Sequence, residues 1–247
     1  MRAKSELAGT NTSPFFHPHS GFVNGSSSTA YSDRSEAGRV LAQRLLRESP
    51  FTDPLLLALP RGGVPVACEI ARSLLIPIDI FLVRKFVLSQ QPEIALGTVA
   101  SGGIQILETE APSQFGEREI QAVIEREQAE LARRERSYRQ SRAPQSIEGR
   151  CAIVVDDGLT TGYTMRMAIR ALRRLHPASI IAAIPVASAE ACEALRSEAD
   201  LVVCARIPET FFSVRRWYRD FSPVLDEDIR TQLASLALEA SPKAFRA

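Results

Sequence analysis

Short apolar runs, each cut off by a polar break, constrain this chain more than any other feature. Leu55-Leu56-Leu57-Ala58-Leu59 lies between Pro54 and Pro60, and Ala152-Ile153-Val154-Val155 stops at Asp156-Asp157. Both runs are too short for a helix and show no polar face, so each reads as a strand buried on both sides. Residues 78–83, 180–185 and 201–205 read the same way. Such strands need cover above and below. Ala37, Val40, Leu41, Leu45 and Leu46 recur at helical spacing up to Pro50, and residues 64–75, 163–175 and 189–196 also read as helices. Residues 84–93 contain Gln90-Gln91-Pro92 and predict a loop. Residues 94–100 and 104–107, joined by Ser101-Gly102-Gly103, predict a hairpin. Residues 117–139 predict a long charged helix with Ile120, Ile124 and Leu131 inward. Residues 206–223 are aromatic and irregular, and 226–238 predict a closing helix. Strands alternating with helices predict an α/β fold, a parallel central sheet flanked by helices.

The chain has 247 residues, enough for one good core. Its formal net charge is +1, so bulk charge gives no reason to expect a nucleic-acid or membrane-surface partner. No apolar run is long enough to cross a bilayer. Cys68, Cys151, Cys192 and Cys204 form no CxxC pair, and the first, second and fourth sit among apolar neighbours. Free thiols and a cytoplasmic setting are expected. Residues 1–30 are polar and aperiodic, which predicts a flexible tail ahead of a single domain over 31–240. The tail carries Arg2 and Lys4 but no apolar segment, against a secretory signal, and Arg is scarce in it, against an organelle transit peptide. His17 and His19 form an HxH pair there, expected to be solvated rather than metal-bound.

The segment from Ala152 to Thr164 carries the strongest chemistry. Asp156 and Asp157 end a buried strand, where carboxylates must be solvated, paired or used. They can accept hydrogen bonds from vicinal hydroxyls. The loop Gly158-Leu159-Thr160-Thr161-Gly162 then opens a helix at Tyr163-Thr164. The first N–H groups of a helix lack intrahelical partners and its dipole favours an anion there. Thr160, Thr161 and Thr164 add hydroxyls. A diol site beside a monophosphate site outlines ribose 5-phosphate. The bland alternative is a solvated strand end and a helix cap, which would not call for the full thirteen-residue run. No GxxxxGK[ST] or GxGxxG is present.

Three further segments fit around this one. Leu59-Pro60-Arg61-Gly62-Gly63-Val64 repeats the strand, glycine turn and helix, with backbone amides and a forked cation for an anion. Gly-Gly alone is also a common turn. Arg84-Lys85 stands where a mobile basic loop could close over a leaving group, or is a solvated pair at a strand end. Phe211, Phe212, Trp217, Tyr218 and Phe221 could cap a planar base, Trp217 in particular, or pack under the last helix.

The first segment resembles the phosphoribosyl pyrophosphate motif of the type I phosphoribosyltransferases. Arg61-Gly62-Gly63 resembles the pyrophosphate loop of xanthine-type members, Arg84-Lys85 the basic loop of orotate-type members, and the aromatic segment a shortened base-side region of hypoxanthine-type members. From Asp33-Arg34-x-x-Ala37-Gly38 to Asp228 the chain resembles a bacterial-type group of uncharacterised phosphoribosyltransferase-domain proteins. The resemblance implies a small hood on the sheet and transfer of phosphoribosyl from phosphoribosyl pyrophosphate to a nitrogenous base, with release of pyrophosphate. It implies Mg²⁺ as cofactor near Asp156 and Asp157, with those two acids on the ribose diol. Thr160, Thr161, Gly162, Tyr163 and Thr164 would hold the 5-phosphate; Arg61, Gly62, Gly63, Arg84 and Lys85 would hold the pyrophosphate. Partners would be the donor and an unidentified acceptor, with no nucleic acid and no membrane, and a homodimer is left open. Three positions depart from the pattern. Thr160 replaces an Asp that hypoxanthine-type enzymes use on the purine, and a hydroxyl is no general base at neutral pH. Tyr163 stands where smaller or basic residues are common, and Arg215 where a Gly follows the Val. A non-catalytic regulator that senses phosphoribosyl pyrophosphate or nucleotides on the same fold is the alternative.

Overall fold

The computed structural model describes residues 29–88, 91–107, 116–140 and 142–239. His17, His19 and nearly all of the expected tail lie outside them. Helix α1 (Arg34–Glu48) comes first, then β1 (Pro54–Ala58), α2 (Gly63–Leu74) and β2 (Ile78–Ile80). A hairpin follows, β3 (Val83–Leu88), β4 (Gln91–Ala100) and β5 (Ile104–Leu107), then α3 (Glu117–Arg139). The chain continues through β6 (Cys151–Val155), α4 (Tyr163–Arg173), β7 (Ser179–Val186), α5 (Ala189–Arg196), β8 (Leu201–Arg206) and α6 (Asp226–Glu239).

Five strands form a wholly parallel sheet in the order β2-β1-β6-β7-β8. Successive residues alternate between its two faces. Leu56, Ala58, Ile153 and Val155 pack on one face with α1, α2, α3 and α6. Leu55, Leu57, Ala152 and Val154 pack on the other with α4 and α5. The first βαβ unit runs outward from β1 to β2, while the second half runs the opposite way from β6 through β7 to β8. A topological switch therefore lies between β1 and β6, where the carboxyl ends of an open α/β sheet leave a crevice.

The second sheet, β3-β4-β5, is antiparallel and corrects the sequence reading. Residues 84–88 and 91–93 are strand rather than loop: β3 pairs with β4 from Val83↔Ala100 and Arg84↔Val99 to Leu88↔Gln91. The predicted strand over 78–83 stops at Ile80, and Val83 already belongs to the hairpin. Charge and Gln content hid the strand, because of residues 83–87 only Phe86 is fully buried and bulges shift the register on either side of Val87. This small sheet is the expected hood. Among the described residues the four thiols are free; Cys68, Cys151 and Cys192 are buried, and Cys204 is half-exposed on the edge strand β8. No helix among them is long and apolar enough to cross a membrane.

A buried ion network ties α3 to the edge strand β2. Arg139 Nε lies 2.8 Å from Asp79 Oδ1, its Nη1 3.1 Å from Glu135, and its Nη2 donates to the Ile80 carbonyl at 2.9 Å. Asp79 also accepts the Gln145 N–H at 2.9 Å, anchoring the connection into β6. Removing one partner from such a network strands the others' charge. Arg139→Ala is expected to cost about 3–5 kcal/mol in denaturant unfolding, far more than a surface Arg. A loss under about 1 kcal/mol would show that water enters and solvates the acids.

Candidate functional site

Two turns meet at the switch. The turn after β1 carries Arg61-Gly62-Gly63, and the turn after β6 carries Asp156-Asp157-Gly158. The Leu59 N–H donates to the Val155 carbonyl at 2.9 Å, which continues the β1–β6 ladder into the turns. The approach is so close that only glycine fits. A Cβ on Gly62 would lie 2.0 Å from Asp157 Oδ2, and one on Gly63 would lie 2.4 Å from the Val155 carbonyl oxygen. The Pro60–Arg61 peptide is cis. Arg61 is exposed and reaches Asp226, at the start of α6, at 3.9 Å.

The two acids are held differently. Asp156 Oδ1 accepts the Asp157 N–H at 2.9 Å. Asp157 Oδ2 accepts from Arg34 Nε at 2.8 Å, and its carbonyl accepts the Tyr218 hydroxyl at 2.6 Å. Burial, and then the charge on Asp157, pushes Asp156 well above the usual carboxylate range. Burial also raises Asp157, against the opposing pull of the Arg34 hydrogen bond and charge. Tyr218 is raised by burial and by Asp157. Such a pair resists full ionisation, and a cation or hydroxyl donors would relieve it.

The loop that opens α4 leaves Thr160, Thr161 and Thr164 exposed around buried Gly162. Gly162 sits at φ 70°, a left-handed conformation suited to glycine, with its Cβ position 3.6 Å from Ala191. The loop is bolted down from below. The Leu159 N–H donates to the Val186 carbonyl, the Ser188 N–H to the Leu159 carbonyl, and Ser188 Oγ to the Thr160 carbonyl at 3.1 Å. Tyr163 joins the loop to the hood: its hydroxyl is 3.2 Å from Thr98 Oγ1, and Lys85 Nζ lies 5.5 Å from its ring centroid.

The structure thus brings together Arg61, Gly62, Gly63, Asp156, Asp157, residues 160–164 and Lys85. It separates Arg84 from Lys85. Neighbours on a strand point to opposite faces, and Arg84 turns to α3, where its Nε lies 2.8 Å from Glu127 Oε2. Trp217 is half-buried in a 3-10 turn (Val214–Trp217) and lines a 260 Å³ hollow with Ala30, Thr210, Phe212 and Arg216. Its neighbour Tyr218 is the aromatic that reaches the acid turn. Sequence reasoning gave no separate role to Arg34, Thr98 or Tyr218. The signal for two of them was present, in the Asp33-Arg34 pair that opens the family resemblance and in the aromatic segment around Trp217.

The phosphoribosyl transferase domain family matches residues 28–220. The chain belongs to this family. Two Mycobacterium tuberculosis proteins, from strains H37Rv and CDC 1551, are each 36% identical over 201 residues; the first bears the name "Putative phosphoribosyl transferase Rv0571c". The match covers 81% of this chain and 45% of each relative, so the matched region spans less than half their length. The crystal structure of TT1426 from Thermus thermophilus superposes with a TM-score of 0.75 at 36% identity, covering 84% of this chain and 99% of that one. The phosphoribosyl transferase domain here therefore has the fold that its central sheet and helical layers describe.

As to a metal, no group of three or more His, Cys, Asp or Glu comes together among the described residues. Asp156 and Asp157 fit a hard cation only as part of a shell completed by water and ligand oxygens, a habit of Mg²⁺.

The raised carboxyl has a measurable sign. A carboxyl that folding pushes up takes its proton as pH falls toward the ordinary value near 3.8, so the folded state gains stability on acidification. Asp156→Asn removes that charge at every pH while keeping an acceptor for the Asp157 N–H. Without ligand, the variant is expected to melt about 2–4 °C above wild type at pH 8, the shift that about 1 kcal/mol gives at this length. The difference should shrink as pH falls. A difference independent of pH would mean that Asp156 is fully solvated.

Proposed function

We propose that the domain transfers phosphoribosyl from phosphoribosyl pyrophosphate to a nitrogen nucleophile. One observation carries the reading: an acid pair, a Thr-Gly helix opening and an Arg-Gly-Gly helix opening converge at a single sheet switch. The ligand has three parts in the same arrangement, a diol between a monophosphate and a diphosphate. The family membership and the names of the mycobacterial relatives support the reaction class.

In this reading Asp156 and Asp157 accept hydrogen bonds from the ribose hydroxyls. The amides that open α4, with the Thr160, Thr161 and Thr164 hydroxyls, hold the 5-phosphate. Arg61 leaves its loose contact with Asp226 for the pyrophosphate, whose close approach Gly62 and Gly63 permit. Mg²⁺, held by the acid pair and ligand oxygens, would supply charge neutralisation on the leaving group. Lys85, on the hood face beside Tyr163, stands over the α4 opening and adds a cation. Arg84, committed to Glu127, takes no part. As the bond from C1 to the pyrophosphate oxygen stretches, positive charge builds on the ribose and negative charge on the leaving group. The protein's work is to fix positions and supply oriented charge. Thr160 offers no general base to an acceptor, which favours a nucleophile whose lone pair is already available.

Phosphoribosyl pyrophosphate with Mg²⁺ is expected to raise the melting temperature, by the equivalent of about 2.7 kcal/mol at a hundredfold excess over Kd. The Asp156→Asn, Asp157→Asn double variant should lose the shift. A wild-type protein unmoved by millimolar donor would sink the reading.

Lys85 meets mainly the charge that develops on the leaving group, so its weight falls on the transition state. Lys85→Ala is expected to lower turnover on the order of 10²-fold, with a smaller change in donor affinity. Steady-state rates beside calorimetric donor binding separate the two effects. Small and equal losses would leave the pyrophosphate to Arg61, Gly62 and Gly63.

A further inference from the structure

We propose that Arg34 is a positioning residue for the donor site, acting through Asp157. The assignment rests on the donor reading above and adds to it a residue outside both phosphate turns. Arg34 is the first residue of α1, far in sequence from the acids it meets. Its Nε donates to Asp157 Oδ2 at 2.8 Å, and its Nη1 donates to the Ser222 carbonyl at 2.9 Å. The guanidinium carbon lies 3.9 Å from the centroid of the Phe221 ring and 5.9 Å from that of Tyr218. The Arg34 and Asp157 side chains are only 11% and 14% exposed.

The backbone around Arg34 is fixed before the side chain is placed. The Tyr31 N–H donates to Trp217, the Arg219 N–H to Tyr31 and the Asp220 N–H to Ser32, each at 2.8 Å. Asp33 caps α1 through the Glu36 N–H at 2.8 Å. The strap between 31–32 and 217–220 therefore delivers a rigid cation to the acid turn. The bonds to a carboxylate and a carbonyl, with a ring beneath, require a flat forked donor; a lysine ammonium is a single point charge.

The consequence is a division of work between two adjacent acids. Asp157 Oδ2 is clamped between Arg34 and the Gly62 backbone. Asp157 is thereby fixed in direction beside the Arg61-Gly62-Gly63 turn. Asp156, which forms no ion pair among the described residues, is left to meet the ribose hydroxyls and the cation that accompanies the ligand. Without Arg34 the two carboxylates repel each other and Asp157 swings away from the position where a diol would meet it. A purely structural bolt between α1 and the 217–222 segment would use the same contacts, but would not act through Asp157.

A double-mutant cycle on donor affinity separates the two. Calorimetry with phosphoribosyl pyrophosphate and Mg²⁺ is run on wild type, Arg34→Ala, Asp157→Asn and the double variant. Arg34→Ala should weaken binding about tenfold or more in the wild-type background, the scale of one hydrogen bond to a charged group. In the Asp157→Asn background the loss should fall below about threefold. Arg34→Lys should recover only part of the affinity, and it stands in for the Ala variant if that protein does not fold. Equal losses in both backgrounds, or full recovery with Lys, overturn the assignment while the donor reading stands. Failure of wild type to bind overturns both.

Discussion

Everything at this site depends on how closely the β1 turn approaches the β6 turn. Parallel strands at a switch point diverge in their connections, and the crevice between them is only as narrow as the side chains allow. Here two glycines remove the side chains on one wall. The carboxylate of Asp157 fills the space that a Cβ on Gly62 would need. The result is an acid pair set against a backbone-lined turn, both at helix openings. Neither turn alone makes a site, since a glycine turn and a strand-end acid are common. Joined, they put an anion-seeking surface within a few ångströms of an anion, and a ligand bearing both phosphates and hydroxyls suits that contrast.

The strain of this arrangement is electrostatic and shows in the acids. Both carboxyls are pushed up by burial; the Arg34 charge opposes this at both, and among the described residues only Asp157 forms an ion pair with it. The fold maintains the arrangement from two directions. Beneath, the Leu159, Thr160 and Ser188 hydrogen bonds fix the α4 opening to β7 and the start of α5. Beside it, the strap from Tyr31 to Asp220 carries Arg34 inward. Binding chemistry of this kind costs stability when no ligand is bound, and the buried core on both sheet faces offsets that cost.

The fold was legible where burial writes an unmixed signal. The β1 and β6 runs are apolar on both faces, and their ends mark the switch. The length of α3 was readable because Ile120, Ile124 and Leu131 keep one helical stripe through a charged segment. The hood strand β3 was not readable. Its inward residues include Arg84, whose burial depends on Glu127 more than forty residues later. A charged residue in a sheet face that is paired across to a helix looks, in sequence, like a loop. The same limit hid the split between Arg84 and Lys85, since adjacent cations suggest one function only if the backbone between them does not alternate.

The site shows the same boundary between local and distant information. Residues 156–164 are one continuous segment, so their chemistry could be read as spacing. Arg34 acts on Asp157 across 123 positions, and no spacing rule reaches that far. What places it there is the pairing of Tyr31 and Ser32 with 217–220, a segment without regular strand periodicity. The Tyr163 to Thr98 contact is a parallel case: the tyrosine looked out of place in a phosphate loop, yet its ring and hydroxyl face the hood. A bulky residue there gives the loop a side-chain link to the sheet that carries Lys85. A small residue would lose both the Thr98 contact and the ring beside Lys85, so the departure from the family pattern adds a side-chain link across the cleft.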